Sequence, residues 1–347
     1  MGASFWNGRR VLVTGHTGFK GAWLSLWLER LGADVYGLGL APAGSGGAYE
    51  ALSKPTGGEA LFDIRNRERV RAEMEGWRPE VVFHLAAQAL VRAGYQDPIG
   101  TYETNVLGTV NTLAAAAAAG AQAVVVATSD KVYANDGSGR AFKEADPLGG
   151  RDPYSSSKAC ADLAAQAWRC LEESAGTAIG VARAGNVIGG GDEAEDRLLP
   201  DAWRAVQAGQ ALQLRHPDSV RPWQFVLDPL LGYLLMAERL VSDPSNTPPV
   251  VNFGPDLASC RPVREVVDLA YAGLGRGSWQ IEEGSHPEEA AILRLDASRA
   301  EQALGWKPRL DLVAAVEWTV AWWRGDLAGD DLRGLAMDQI AAYESLR

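Results

Sequence analysis

The chain has 347 residues, 47% of them hydrophobic and 22% charged, enough to bury one large core or two fused ones. A formal net charge of −11 argues against nucleic acid or an anionic membrane as the main partner, since both favour a basic surface. No basic segment followed by an apolar core opens the chain and no apolar run reaches spanning length, so a cytoplasmic protein is expected.

The first predicted unit is the most informative. Arg10 to Thr14 (RVLVT) has strand length and character, and it breaks into Gly15, Gly18 and Gly21 at a three-residue spacing. An apolar-periodic segment, Trp23 to Leu31, follows as a helix, and Asp34 to Leu38 (DVYGL) completes a βαβ unit. Gly15 suits a tight turn, Gly18 lets N–H groups approach a pyrophosphate, and Gly21 lets helix and strand pack closely. The positive end of the helix dipole then faces the phosphates. An acidic residue is expected at the end of the second strand to bond the adenosine ribose, but Gly39, Leu40 and Ala41 stand there. No Arg replaces it to receive a 2′-phosphate, so the expected cofactor is NAD.

The stretch from Ala41 to Gly47 is loop by composition. Leu61 to Arg65 is a short strand end, where Asp63 reads either as an acceptor for the adenine amino group or as the N-terminal Asp of a helix from Arg65 to Met74. Pro79 to Gln88 gives a buried strand ending in small residues, and His84 reads as a packed residue at its end. Thr101 to Gly120 is a long helix with an alanine run. Ala123 to Ala127 is a central parallel strand that delivers Thr128, Ser129, Asp130 and Lys131 at its carboxyl end, the place where open α/β sheets bind ligands.

Asp152 opens a further helix, to about Ser174, which puts Tyr154 and Lys158 on one face. An ammonium near a phenol favours the phenolate, a base suited to a sugar hydroxyl whose carbon loses hydride. Ile179 to Arg183 is another strand. Beyond it the βα alternation fades into shorter elements, which suggest a smaller lobe over the sheet edge. Arg221 there reads as a bidentate diphosphate ligand or as a rim salt bridge. The C-terminal part, including a Trp318 to Trp323 helix, reads as scaffold. Cys160, Cys170 and Cys260 lack paired spacing and four scattered histidines make no metal centre, so reduced thiols and no metal are expected. The expected fold is α/β: a Rossmann-type doubly wound parallel sheet in residues 1–184. Residues 185–347 form a smaller mixed C-terminal substrate-binding lobe with segments returning to the sheet.

The TGxxGxxG turn, the Ser129 strand end and the Tyr154/Lys158 pair resemble the extended short-chain dehydrogenase/reductase family (NAD-dependent epimerases and dehydratases). The likeness is to its nucleotide-sugar-modifying members. TGHTGFKG (14–21), HLAAQ (84–88), TSDKVY (128–133), DPYSSSK (152–158) and GNVIGGGD (185–192) carry it. So do DRLLPD (196–201), RPWQFVLDPL (221–230) and LGWKP (304–308). Two features depart from the family: Glu193 stands where an aromatic is common after GGGD, and no acid follows the second strand.

The resemblance implies 4,6-dehydration of a nucleotide-diphosphate sugar, CDP-glucose favoured. Tyr154, with Lys158 and Ser129, would take the C4 hydroxyl proton, Asp130 would act as acid, and Lys131 as base at C5 or its electrostatic partner. Cofactor contacts are implied for Gly15, Thr17, Gly18, Phe19, Lys20 and Gly21, for Asp63, Ile64, Leu85, Ala86, Ala87 and Thr104, and for Tyr154 and Lys158. Substrate contacts are implied for Gln88, Arg92, Asn186, Arg197, Leu199 and Arg221. A 4-epimerase would need Tyr154, Lys158 and Ser129 without the Asp130/Lys131 pair, and a non-catalytic dinucleotide sensor would need none of them. The two long helices resemble the pair through which the family dimerises, so a homodimer is expected.

Overall fold

The structure is a computed structural model and describes residues 3–42, 47–52, 54–284 and 292–346. Residues 43–46 of the expected loop lie outside this set. Seven parallel strands form the central sheet: β1 (Arg10–Thr14), β2 (Asp34–Gly39), β3 (Gly58–Leu61), β4 (Val81–His84), β5 (Ala123–Ala127), β6 (Ala178–Ala184) and β7 (Val250–Phe253). Their order is β7-β6-β5-β4-β1-β2-β3. The chain winds outward from β1 in one direction and then restarts at β4 on its other side. Between β1 and β4 lies the switch point, which opens a crevice at the strands' carboxyl ends.

Strands covered on both faces read as unbroken apolar runs, and β5, Ala-Val-Val-Val-Ala, is buried at every position. Alternate side chains feed two cores. Val11, Val13, Phe83 and Val125 pack with Trp23 and Trp27 of α1 (Phe19–Arg30), whereas Leu12, Val82 and Val124 pack with Leu113 and Ala116 of α2 (Gly108–Ala118). Ala165 of α3 (Pro153–Ala175) joins the second core.

The long helix expected from Thr101 to Gly120 is helical but interrupted. Pro98–Tyr102 leads into a π-helical turn, Glu103–Leu107, before α2 begins. Asp63 does not cap the next helix, Arg67–Trp77; Asn66, the residue directly before it, does so by accepting the Arg69 N–H.

After β6 the chain forms α4 (Leu198–Ala208), α5 (Leu227–Ser242), α6 (Leu312–Ala328) and α7 (Leu332–Ser345). Three two-stranded sheets accompany them: Val187–Ile188 with Gln224–Phe225, Val220–Pro222 with Cys260–Pro262, and Leu212–Leu214 with Trp279–Ile281. β7 returns to the main sheet beside β6. A buried clasp closes this half: Asp228 Oδ1 accepts the Arg309 N–H and the Tyr343 hydroxyl, both at 2.7 Å, and its carbonyl accepts the Trp306 Nε1–H at 2.8 Å. Gly190 packs beneath the Trp322 ring, where a Cβ would clash, and its carbonyl accepts the Trp23 Nε1–H at 2.9 Å. The GGGD segment is thereby fixed against α1. No described helix is long and apolar enough to cross a membrane.

Candidate active site

At the end of β1 the chain turns through Gly15, whose φ of +74° favours glycine. A Cβ there would lie 2.7 Å from the Ala86 nitrogen, and one on Gly21 would run into the Gly15 carbonyl oxygen. Gly18 is the N-cap of α1 and supplies no side-chain cap, so the helix presents its first N–H groups, with Thr17, Phe19 and Lys20 about them, to a ligand. Leu85, Ala86 and Ala87 follow β4 on the adjoining side.

The missing acid after β2 has a neighbour that the sequence did not reveal. Glu59, paired in register with Gly37, accepts from His16 Nε2 at 2.9 Å and from the Tyr49 hydroxyl at 2.7 Å, and pairs with Lys54 at 2.7 Å. Burial pushes its carboxyl up, but bonds from Lys54, Tyr49 and His16 outweigh this and bring it to about 2. Asp63, by contrast, is engaged by the Arg65 N–H and guanidinium at 2.8–2.9 Å.

The end of β5 is tightly organised. Ser129 caps a single turn, Asp130–Val132, its Oγ accepting the Lys131 N–H at 3.2 Å and donating to Asp130 Oδ1 at 3.1 Å. Asp130 is only 3% exposed and its Oδ2 has no hydrogen-bond partner among the described residues. Burial pushes its carboxyl up against the pull of Lys131, Ser129 and Arg221, which favours its protonated form.

Opposite, Asp152 starts α3 by accepting the Ser155 N–H at 2.9 Å and its hydroxyl at 2.5 Å, with Pro153 in the first turn. Tyr154 and Lys158 follow one turn apart. Lys158 Nζ donates to the Ala127 carbonyl at 2.8 Å, and burial brings it down to about 8 although Asp162 opposes this. The depressed phenol expected from a Tyr154–Lys158 contact is absent in this state. Burial pushes Tyr154 up, and Ser129, not Lys158, exerts the main opposing pull.

Asn105 is a positioning residue that sequence reasoning missed. The π-turn aims its side chain inward, where Oδ1 accepts the Gln88 N–H at 2.8 Å and Nδ2 donates to the Gln88 carbonyl at 3.0 Å and to Ser157 Oγ at 2.8 Å. Ser157 in turn donates to the Tyr154 carbonyl at 2.8 Å. The Gln88 side chain is spent on Thr101 and the Leu90 N–H. His84 bonds Thr14 at 2.8 Å and Thr109 at 2.9 Å, and burial, then Lys158, lower it to about 3: a neutral packed residue.

One cavity of about 770 Å³ is bounded by the first residues of α1, the end of β5 and the start of α3. Of the candidate residues, Phe19, Lys20, Leu85, Ala87, Ser129, Asp130, Lys131, Tyr154 and Lys158 line it, as do Arg92, Asn186, Arg197, Leu199 and Arg221. Arg197 pairs with Asp192 at 2.9 Å and Arg92 with Asp196 at 2.8 Å. Asp63, Ile64, Thr104 and Gln88 do not line it, nor do Gly15, Thr17, Gly18, Gly21 and Ala86.

The glycine cradle and the uncapped helix start fit the diphosphate of a dinucleotide, and Tyr154 and Lys158 lie one helical turn apart on the facing helix. A model described as the NAD dependent epimerase/dehydratase family matches residues 11–254. CDP-glucose 4,6-dehydratase of Salmonella typhimurium is 42% identical, over 99% of this chain and 98% of that protein. dTDP-glucose 4,6-dehydratase of Streptomyces griseus is 29% identical over 90% and 93%. Among solved structures, UDP-glucose 4-epimerase of Thermus thermophilus in complex with NAD has a TM-score of 0.79 at 25% identity, covering 91% of this chain and 99% of that one. DesIV, a dTDP-glucose 4,6-dehydratase of Streptomyces venezuelae with NAD and TYD bound, gives 0.79 at 25% identity over 92% and 98%. This chain belongs to the NAD dependent epimerase/dehydratase family and is an NAD-dependent enzyme.

Proposed function

We propose that the protein is a CDP-glucose 4,6-dehydratase, forming CDP-4-keto-6-deoxyglucose. The observation that carries this reading is end-to-end identity of 42% with an enzyme of that name, in a chain whose Asp130 and Lys131 both line the cavity beside Tyr154. NAD, when bound, supplies the acceptor for the C4 hydride and returns it to C6.

Tyr154 takes the C4 hydroxyl proton as that hydride leaves, with Ser129 exerting the main pull toward the phenolate and Lys158 one helical turn away. The resulting ketone acidifies the C5 hydrogen. Lys131 removes it, and Asp130, whose protonated form burial favours, protonates the departing C6 hydroxyl so that water leaves. The reaction is redox-neutral overall. Arg221, Arg197 and Arg92 line the cavity and would hold the diphosphate and nucleoside. Gly15, Thr17, Gly18 and Gly21 serve the cofactor diphosphate. The reading divides the chain into a cofactor half, 1–184, and a sugar-nucleotide half, 185–347, and includes a cytoplasmic homodimer.

The test is incubation with CDP-glucose, UDP-glucose, dTDP-glucose or GDP-mannose, with and without added NAD, following the 4-keto-6-deoxy sugar by NMR. Conversion of CDP-glucose alone is expected. Product from another nucleotide would overturn the cytidine preference, and C4 inversion without elimination would make the protein an epimerase.

A further inference from the structure

β5 and β6 are parallel neighbours with Ala127 paired to Ala182, so the residues three further along each chain, Asp130 and Gly185, leave the sheet side by side. The second half of the chain meets them there. Gln224 donates its N–H to the Asn186 carbonyl at 3.0 Å, and Pro222, just before it, is held in a strand by pairing with Cys260. A Cβ on Gly185 would stand 2.8 Å from Asp130 Oδ2, 3.3 Å from Asp130 Cγ and 2.8 Å from Pro222 Cγ. No side chain fits between that carboxyl and that ring. Unlike Gly15, Gly185 does not have a positive φ, so what the position asks of glycine is room and not an unusual backbone.

The two neighbours would not yield equally to a side chain there. The Pro222 ring is closed onto its own backbone, whereas a carboxyl turns about its side-chain bonds. A methyl group on Gly185 would therefore move Asp130. Little holds that carboxyl in place: Oδ1 accepts the Ser129 hydroxyl at 3.1 Å, and the buried Oδ2 has no partner among the described residues. Burial favours its protonated form against the pull of Lys131, Ser129 and Arg221.

We propose that Gly185 is a positioning residue for the elimination: its missing side chain leaves the place in which the Asp130 carboxyl stands to give its proton to the departing C6 hydroxyl. The three atoms nearest to a Cβ at Gly185 belong to Asp130 and Pro222, and none to Ser129, Lys131, Tyr154 or Lys158. Oxidation at C4 and removal of the C5 hydrogen are therefore spared when the position is filled, and only the loss of water suffers. The inference rests on the dehydration reading, with Asp130 as its acid, and not on which nucleotide the sugar carries.

The test is Gly185→Ala with added NAD and CDP-glucose, or with UDP-glucose, dTDP-glucose or GDP-mannose should wild type convert one of those instead. Bound reduced cofactor is followed by absorbance, the 4-keto-6-deoxy sugar by NMR, and exchange of the C5 hydrogen in deuterated water. Product formation should fall about 10²-fold, the scale expected when a reacting group is misplaced by about 1 Å. Reduced cofactor should build up and the C5 hydrogen should still exchange. Gly185→Ala with Pro222→Ala gives the methyl group room on its other side and should recover dehydration relative to Gly185→Ala, which a general loosening of the site would not do. Dehydration at the wild-type rate in Gly185→Ala overturns this proposal and leaves the dehydration reading standing. Slowed C4 oxidation with no reduced cofactor also overturns it, since the damage would then reach the whole site. Should Gly185→Ala fail to fold, Asp130→Ala with Gly185→Ala is expected to fold because the carboxyl in the way is gone; a pair that also fails overturns the proposal. Wild-type protein that inverts C4 without eliminating water removes the dehydration reading and this proposal with it.

Discussion

Arg183 grips Asp162 through two hydrogen bonds, Nε to Oδ2 at 2.7 Å and Nη2 to Oδ1 at 2.8 Å, with both side chains withdrawn from water. The pair connects separate pieces of the site. Asp162 lies one helical turn beyond Lys158 and also accepts the Thr128 hydroxyl at 3.1 Å, while Arg183 reaches the Tyr133 hydroxyl at 2.9 Å. Removing one partner of such a pair leaves the other charge buried and unpaired. Asp162→Asn is therefore expected to lose ~3–5 kcal/mol in denaturant unfolding. Asp162 is also the charge that sustains Lys158, so in whatever folded enzyme remains the alkaline loss of activity should move to lower pH. Asp162→Glu restores the charge and should restore that limb.

Asn105 shows how a positioning role can be tested apart from chemistry. Asn105→Ala leaves the Gln88 N–H and carbonyl and the Ser157 hydroxyl without their partner, at a cost of about 1–3 kcal/mol in stability. Because Ser157 holds the Tyr154 carbonyl, turnover should fall more than substrate affinity does. Steady-state kinetics beside a denaturation curve separates the two effects; an unchanged turnover would remove Asn105 from the site.

Most of the sheet was legible because β1, β2, β4, β5 and β6 announce themselves locally, whereas β3 ends at Leu61 where the reading began it and β7 was not singled out. Val124-Val125-Val126 can only be a buried strand, and Gly15, Gly18 and Gly21 specify their turn by steric need alone. Ser129, Asp130, Tyr154 and Lys158 were legible as strand-end and helix-face residues for the same reason. Asn105, Glu59 and Asp228 were not, because their meaning lies in partners distant in sequence: Ser157, His16 and Tyr343. No pattern of period or spacing reports such pairs. The π-turn that aims Asn105 inward is likewise invisible in a stretch whose composition is simply helical.

Asp228 links the clasp of the second half to pH. Burial raises its carboxyl from an ordinary 3.8 to about 6, against bonds from Arg309 and Tyr343. A folded-state value above the unfolded one means that its stabilising contribution is whole below about 3.8 and is lost as pH rises through about 6. Two units correspond to ~3 kcal/mol. Asp228→Asn should flatten the difference in unfolding free energy between those limits. Since Oδ2 has no partner among the described residues, the new amide gains no acceptor there, and the variant should not exceed wild type at low pH. A wild-type pH slope in the variant would assign the titration elsewhere.

An apolar strip runs along the exposed side of the helices expected to meet in a dimer. Ile99, Leu107, Leu163 and Leu171 are 73%, 57%, 54% and 54% exposed. Burying such residues against a symmetric copy is worth about 1.5–3 kcal/mol each. Wild type is expected to sediment as a dimer, and Leu163→Glu with Ile99→Glu should therefore yield monomer in sedimentation velocity at the same concentration. A variant that still sediments as a dimer would move the interface to another face.

The separation of the two hydride steps by an elimination offers the most direct view of Asp130 and Lys131. Tyr154→Phe cannot accept the C4 proton, so oxidation itself should slow by about 10²–10⁴-fold and no reduced cofactor should build up. Lys131→Ala leaves Tyr154, Lys158 and Ser129 in place, so the sugar is still oxidised at C4 but its C5 hydrogen has no base. Bound reduced cofactor should then accumulate, visible by its absorbance, while the 4-keto-6-deoxy product does not form. Asp130→Asn should arrest at the same stage for a different reason, since its amide cannot protonate the leaving hydroxyl. Exchange of the C5 hydrogen with solvent distinguishes them: it is expected in Asp130→Asn, where the base survives, and not in Lys131→Ala. Dehydration at the wild-type rate in Lys131→Ala would take the base role away from Lys131.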